Sequence, residues 1–352
     1  MRVLVIGASG YYGAEVAKVL TDETTLDVLK GRRKGGKGWV AIDLTDPSTF
    51  LAMKQADLTL NCADTVGAPA YKAIQYCLEE GLTFFEMGAD APTIAQILQM
   101  PLPSSPKGRV LVGVGIFPGF STLLADYIHQ QVNDCQRLDF AVRLSPFSGA
   151  GKANCALMTQ MLAVPSVRYQ QGERLEGDTV GETVHFPFQG VGTKAAVQVG
   201  LPDADLIFKS TEVPEVTTFI GIQPSWMRHN FRFAAWMLKF AGPVRSLLLK
   251  FSEWSLLFLR ALLLRKVNSR LHLTALANRG LPDETHATVV LEQGQRSVAT
   301  STASAALLWQ HLDSRPAPGL YTIPQVFSLE AMLQQMQDFG HTELSGFKQS
   351  AS

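Results

Sequence analysis

The stretch Arg2-Val3-Leu4-Val5-Ile6-Gly7-Ala8-Ser9-Gly10-Tyr11-Tyr12-Gly13 decides how the rest of the chain is read. An apolar run of strand length ends in three glycines spaced three apart, and the residues after Gly13 have helical character. Gly7 allows the tight turn from strand to helix. Gly10 leaves room for an incoming group, and Gly13 permits close packing of helix on sheet. A helix that starts on such a turn presents backbone N–H groups and partial positive charge, which suit a pyrophosphate. Gly7, Ala8, Ser9, Gly10, Tyr11, Tyr12 and Gly13 are therefore candidate contacts to a dinucleotide.

Outward from that turn, short apolar runs alternate with helical stretches through the first 125 or so residues, the pattern of a parallel sheet covered by crossover helices. Strands are expected at 2–6, 26–29, 38–42, 58–61, 83–85 and 110–114, with helices at 13–20, 48–54, 68–80 and 91–100. From Cys135 on, longer alternating stretches (138–144, 182–188), Gly-rich turns and a helical run at 153–162 indicate an α+β domain. A last helix, 329–336, opens on a Ser328 cap with Glu330 in its first turn. The expected organisation is α/β, with a doubly wound parallel sheet in 1–130, a second α+β domain in 131–305, and a segment 306–352 that returns to the first.

The second strand leads into Lys30-Gly31-Arg32-Arg33, where a protein selective for NAD(H) presents an Asp or Glu to the ribose 2′-OH. Arg32 and Arg33 offer guanidinium forks to a 2′-phosphate instead, with Lys34 and Lys37 nearby. The expected cofactor is NADP(H). Asp43 is a candidate adenine contact or a helix cap. Asn61-Cys62-Ala63, after the fourth strand, is the candidate nicotinamide-side loop. Glu86 and Asp90 follow the fifth strand as candidate proton handlers, or as a cap and a solvated group. Phe117, within Gly115-Ile116-Phe117-Pro118-Gly119, is a candidate substrate contact. Gly149, Gly151 and Asn154 form a second Gly-rich entry, read either as an anion cradle or as a turn.

Equal numbers of basic and acidic residues, 31 each, give no reason to expect a nucleic-acid partner. Four dispersed cysteines and no leader-like start indicate a cytoplasmic chain with reduced thiols. No Tyr is followed four residues later by Lys, and no Cys/His spacing suits a metal. His185, His229 and His286 stand alone and read as structural. The Leu-rich stretch 244–266 is apolar on one side, with Arg245, Lys250, Glu253 and Arg260 within less than half the helix circumference. It reads as a buried helix, a homodimer seam or a helix lying on a membrane surface, the last consistent with a greasy small-molecule substrate.

Together, GASGYYG, GRR, NCAD, FFEMGAD and GIFPG resemble the saccharopine dehydrogenase-like family of NADP-dependent oxidoreductases, and SGAGKANCALM and PGLYTIPQVFSLEAML extend the resemblance over most of the chain. It implies a Rossmann domain, an inserted catalytic domain, and hydride transfer from NADPH to a C=N, C=O or C=C bond. Carried over, Gly7, Gly10 and Gly13 are the cofactor turn, Arg32 the basic residue after the second strand, and Asn61 to Ala63 the nicotinamide loop. Glu86 and Asp90 stand where relatives often have an Asp and a Glu. Phe85 stands where a Tyr is common, so that hydroxyl is missing as a proton donor. The charged amino-acid-binding set of the lysine-pathway enzymes is not found in 135–300, which argues against saccharopine as substrate. Two functions remain open: an NADPH-dependent reductase, and an NADP(H)-binding sensor or scaffold without chemistry.

Overall fold

The computed structural model describes residues 1–63, 70–88, 90–145, 159, 161–162, 164–263, 270–292, 294–340 and 350–351. By contact the chain divides into two units, Met1–Leu123 with Gln295–His341, and Leu124–Gly294 with the short strand Ser350–Ala351.

In the first unit, β1 (Arg2–Ile6), β2 (Asp27–Arg32), β3 (Val40–Ala41), β4 (Leu58–Asn61), β5 (Thr83–Glu86), β6 (Arg109–Val112) and β15 (Gly319–Thr322) form one sheet. Their order is β15-β6-β5-β4-β1-β2-β3, with every pairing parallel. The order in which strands are added reverses at β1 and β4, β2 and β3 lying to one side and β4 to β6 to the other, and the crevice beyond their carboxyl ends is where such sheets take ligands. Val3, Leu4 and Val5 are wholly buried, as expected of a central parallel strand covered on both faces.

The helices of this unit start and stop for local reasons. α1 (Tyr11–Glu23) buries Gly13, Val16, Ala17, Val19 and Leu20. The segment Pro47–Gln55 is a 3-10 helix capped by Asp46. α2 (Tyr71–Glu80) ends on Gly81 at φ 78°, a left-handed position that costs glycine nothing. α3 (Ala91–Gln99) is capped by Asp90. α4 (Phe120–Gln130) carries the chain into the second unit.

That second unit holds a mixed sheet, β10 (Val180–Phe188), β11 (Gly192–Val199), β12 (Glu215–Ile222), β7 (Arg137–Leu144), β13 (Arg270–Ala277), β14 (Thr285–Glu292) and β16 (Ser350–Ala351), in that order. β8 (Val167–Gln170) pairs with both β12 and β9 (Glu173–Glu176). Phe186, Phe188 and Phe219 fill its core. α5 (Asp203–Thr211), α6 (Met227–Lys239) and α7 (Arg245–Leu263) complete it.

The units differ from the sequence expectation at more than one boundary: residues 124–130 fall in the second unit, and the strand Ser350–Ala351 pairs there instead of returning to the first. α8 (Gln295–His311) belongs to the first unit, so residues 295–305 fall there and not in the second domain. Its buried face is Ser, Thr and Ala, small enough to lie close against α1. Arg296 forks onto both carboxylate oxygens of Glu23, and Trp309 packs edge-on against Phe85 with ring centroids 5.4 Å apart. α9 (Leu329–Asp338) packs on α8 and is capped by Ser328, which accepts from the Ala331 N–H at 3.2 Å. Most of the expected helix at 153–162 lies outside the described residues.

Candidate active site

Each glycine of the first turn has a distinct geometric reason. Gly7 stands at φ 76°, and a Cβ there would fall 2.7 Å from the Ala63 nitrogen. The loop after β4 therefore passes directly against the turn. At Gly13 a Cβ would lie 2.2 Å from the Gly7 carbonyl oxygen, so any side chain would force the helix off the turn. Gly10 meets only that same oxygen, at 3.1 Å, and is exposed. It is the N-cap of α1, which has no side-chain cap hydrogen bond and no acidic residue in its first turn. The positive end of the helix is thus not offset by a carboxylate of that turn.

The turn is fastened to its neighbours through backbone. Gly7 and Ala8 both donate to the Gly31 carbonyl, at 3.1 and 3.2 Å, and Gln295 donates to the Tyr11 carbonyl at 2.6 Å. Ala8 is buried, whereas Ser9 and Tyr11 are exposed. Tyr12 is half-buried, edge-on to Tyr11, and burial pushes its phenol up to about 12. Its hydroxyl stays neutral at physiological pH.

At the end of β2, Arg32 is held in place, and Arg33, the next residue, is exposed. The Arg32 Nε donates to the Gly35 carbonyl at 2.6 Å, and its guanidinium lies 4.7 Å from the Trp39 ring centroid. Gly36 makes room for it, since a Cβ there would come within 2.6 Å of Nη2. Stacking on an aromatic face fixes a guanidinium plane before any ligand arrives. Trp39 was missed in the sequence, although a Trp after Gly-Arg-Arg-Lys-Gly-Gly-Lys-Gly is a usable signal for such a platform. Asp43 is bonded within its own loop. Its Oδ1 accepts from the Thr45 N–H at 2.9 Å and the Thr45 hydroxyl at 2.7 Å, and these bonds hold its carboxyl below the usual range. The helix cap is Asp46, not Asp43.

Asn61 and Glu86 sit side by side at the ends of β4 and β5, both wholly buried. Asn61 donates to Glu86 Oε2 at 2.7 Å, the Gly88 N–H donates to Oε1 at 2.6 Å, and Asn61 Oδ1 accepts from the Ala63 N–H at 3.2 Å. Burial pushes the Glu86 carboxyl up to about 7, against the opposing pull of those two donors. Burial, with Glu86 close by, also drives the Cys62 thiol far up, so Cys62 is no thiolate nucleophile. Of the two readings the sequence left open for Glu86 and Asp90, the cap is the one observed at Asp90, and Glu86 is buried where a solvated group was the alternative. Glu86 has both oxygens engaged inside the fold, and Asp90 caps α3 through the Thr93 N–H at 3.0 Å and the Thr93 hydroxyl.

Phe117 is half-buried on the loop after β6. That loop is tied to the sheet end and to α8: Gly113 and Val114 donate to the Glu86 carbonyl at 3.0 Å, and the Ser301 hydroxyl donates to the Gly115 carbonyl at 2.9 Å. The chain ends after β1, β4, β5 and β6 therefore form one connected rim. Gly149, Gly151 and Asn154 lie outside the described residues, as do Asp64 and Ala89. No His/Cys/Asp/Glu group suited to a metal occurs among the described residues.

No family model matches the chain, and no curated protein matches it. Among solved structures, the chain is similar to a homospermidine synthase from Legionella pneumophila in complex with NAD, at 11% identity over 100% of this chain and 91% of that one, with a TM-score of 0.67. An apo saccharopine dehydrogenase (L-Glu forming) from Saccharomyces cerevisiae is similar at 13% identity over 100% of this chain and 99% of that one, with a TM-score of 0.55. At such identities the likeness is one of fold, and it is the fold that the family resemblance implies.

Proposed function

We propose that this chain is an NADP(H)-dependent oxidoreductase that transfers hydride to a C=N or C=O bond of a small substrate. The observation that carries the reading is the rim itself: a glycine turn leading into a helix whose N-terminus carries no side-chain cap, at the point where strand order reverses. Arg32 on Trp39, with no acid at the end of β2, supports the phosphorylated cofactor, its guanidinium being set to meet a 2′-phosphate. When bound, the nicotinamide would supply the hydride. The chain's part is orientation: Gly7 and Gly13 bring strand, helix and the 61–63 loop together, and Glu86 acts as a positioning residue by fixing Asn61. The two neighbours, one named as a complex with NAD and one as a saccharopine dehydrogenase, lend support to C–N redox chemistry.

A second reading, an NADP(H)-binding sensor, draws on one specific observation. Among the described residues, the two candidate acids of the rim are both engaged within the fold, Glu86 enclosed with both oxygens bonded and Asp90 capping α3 through one oxygen. Consumption of NADPH by the full chain, followed over a panel of ketones and of aldehyde plus amine mixtures, separates the two. Turnover with any member supports the enzyme. Tight NADPH binding with no consumption across the panel favours the sensor.

A further inference from the structure

We propose that α6 and α7 form a docking surface for an anionic lipid membrane, lying in its interface without crossing it. On α6, Met227, Phe231, Ala235 and Leu238 are buried, which is the face that packs inward. The opposite side of the helix is not polar. At ~100° per residue Phe233, Trp236 and Phe240 fall within an arc of about 60°. Trp236 is 58% exposed and Phe240 71%. These three rings touch in series, with centroids 5.9 and 5.5 Å apart.

A second exposed stripe lies on α7. Leu247, Phe251, Trp254 and Phe258 recur at spacings of four, three and four, and at ~100° per residue they share an arc of about 60°. Leu247 is 66% and Trp254 59% exposed, and Trp254 lies 5.4 Å from Phe258. None of residues 245–258 is buried. A helix this apolar that buries none of those side chains in its own unit leaves a row of aromatic rings in water, Phe251, Trp254 and Phe258 in series, far from the ordinary scatter of single exposed apolar residues.

Charge decides the occupant. From Trp226 to Phe258 the chain carries Arg228, Arg232, Lys239, Arg245 and Lys250 against one acid, Glu253. On α6, Arg228, Arg232 and Lys239 share one flank of the aromatic arc, within about 40° at ~100° per residue. Lys239 also pairs with Asp178 at the surface. Two copies of so basic a face would repel each other, whereas a leaflet of anionic headgroups complements it at roughly 1 kcal/mol per basic residue near the surface. Tryptophan and phenylalanine beside Arg and Lys is the side-chain mix that settles at the headgroup level. No helix among the described residues is long and apolar enough to cross a membrane, so the surface lies on the bilayer.

The test uses the full chain with vesicles of phosphatidylcholine alone and vesicles in which phosphatidylserine replaces part of it. The wild type is expected to float with the anionic vesicles only, to be released by salt, and to shift its tryptophan emission to the blue. Trp236→Glu with Trp254→Glu, both at exposed positions, should lower vesicle binding by about tenfold or more with an unchanged far-ultraviolet spectrum. Arg245→Glu with Lys250→Glu should erase the preference for anionic lipid. A wild type that stays with neither vesicle overturns the proposal. So does a dimer in sedimentation equilibrium that the double Trp variant converts to monomer, which would assign the surface to a second copy of the chain.

Discussion

Asn61 donates a 2.7 Å hydrogen bond to Glu86, and both side chains are fully enclosed. Through its other oxygen Glu86 holds the Gly88 N–H, and through its amide oxygen Asn61 holds the Ala63 N–H. One buried pair thus sets the two loops that leave β4 and β5, directly against the glycine turn.

A pH dependence of stability follows from that pair. Glu86 titrates near 7 in the folded chain against an ordinary 4.5, so between those values the native state binds the proton more tightly. Stability from this group is present at low pH and is lost as pH rises through 7. Relative to Glu86→Gln, the wild type should lose up to about 3 kcal/mol between about pH 5 and about pH 8. Urea unfolding of both proteins checks it, and parallel pH curves would remove Glu86 as the source.

The glycines should separate folding from binding. Gly13→Ala sets a Cβ 2.2 Å from the Gly7 carbonyl oxygen and should destabilise the first unit by about 1–3 kcal/mol. Gly10→Val, at an exposed position with a single 3.1 Å contact, should fold and lose NADPH binding. Thermal melts with and without NADPH measure both, and a folded Gly10→Val that still binds would take the pyrophosphate off this turn.

Asp90→Ala distinguishes a cap from an acid. Loss of the bond to the Thr93 N–H should cost about 1 kcal/mol of stability and leave NADPH affinity and any turnover unchanged. A collapse of turnover at unchanged stability would return Asp90 to the chemistry.

What the sequence disclosed and what it hid have physical causes. β1 and β4 were legible to the residue, 2–6 and 58–61, the first as a continuous apolar run stopped by Gly7 and the second as Leu58 and Leu60 alternating with short polar residues between a charged and a small-polar flank. α8 was not, because its buried face is Ser, Thr and Ala, which have no large-residue period to detect. Glu86 resembled an edge carboxylate, since its burial depends on Asn61, 25 residues away in sequence. Asp43 and Asp46 both precede a helical turn, and only the observed bonds to Thr45 and Ser48 divide their roles. The apolar character of 244–266 was visible in sequence. Its extension back to Trp226 was missed, although Phe233, Trp236 and Phe240 already carry the three-four spacing.

The cofactor reading rests on Arg32, pinned by Gly35 and stacked on Trp39. Titration of the full chain with NADPH and with NADH, for the wild type and for Arg32→Ala, tests it most directly. The account predicts that the wild type binds NADPH at least about tenfold more tightly, roughly 1.4 kcal/mol, and that the variant weakens NADPH while leaving NADH nearly unchanged. Equal affinities in the wild type, or a preference that survives in Arg32→Ala, would contradict it.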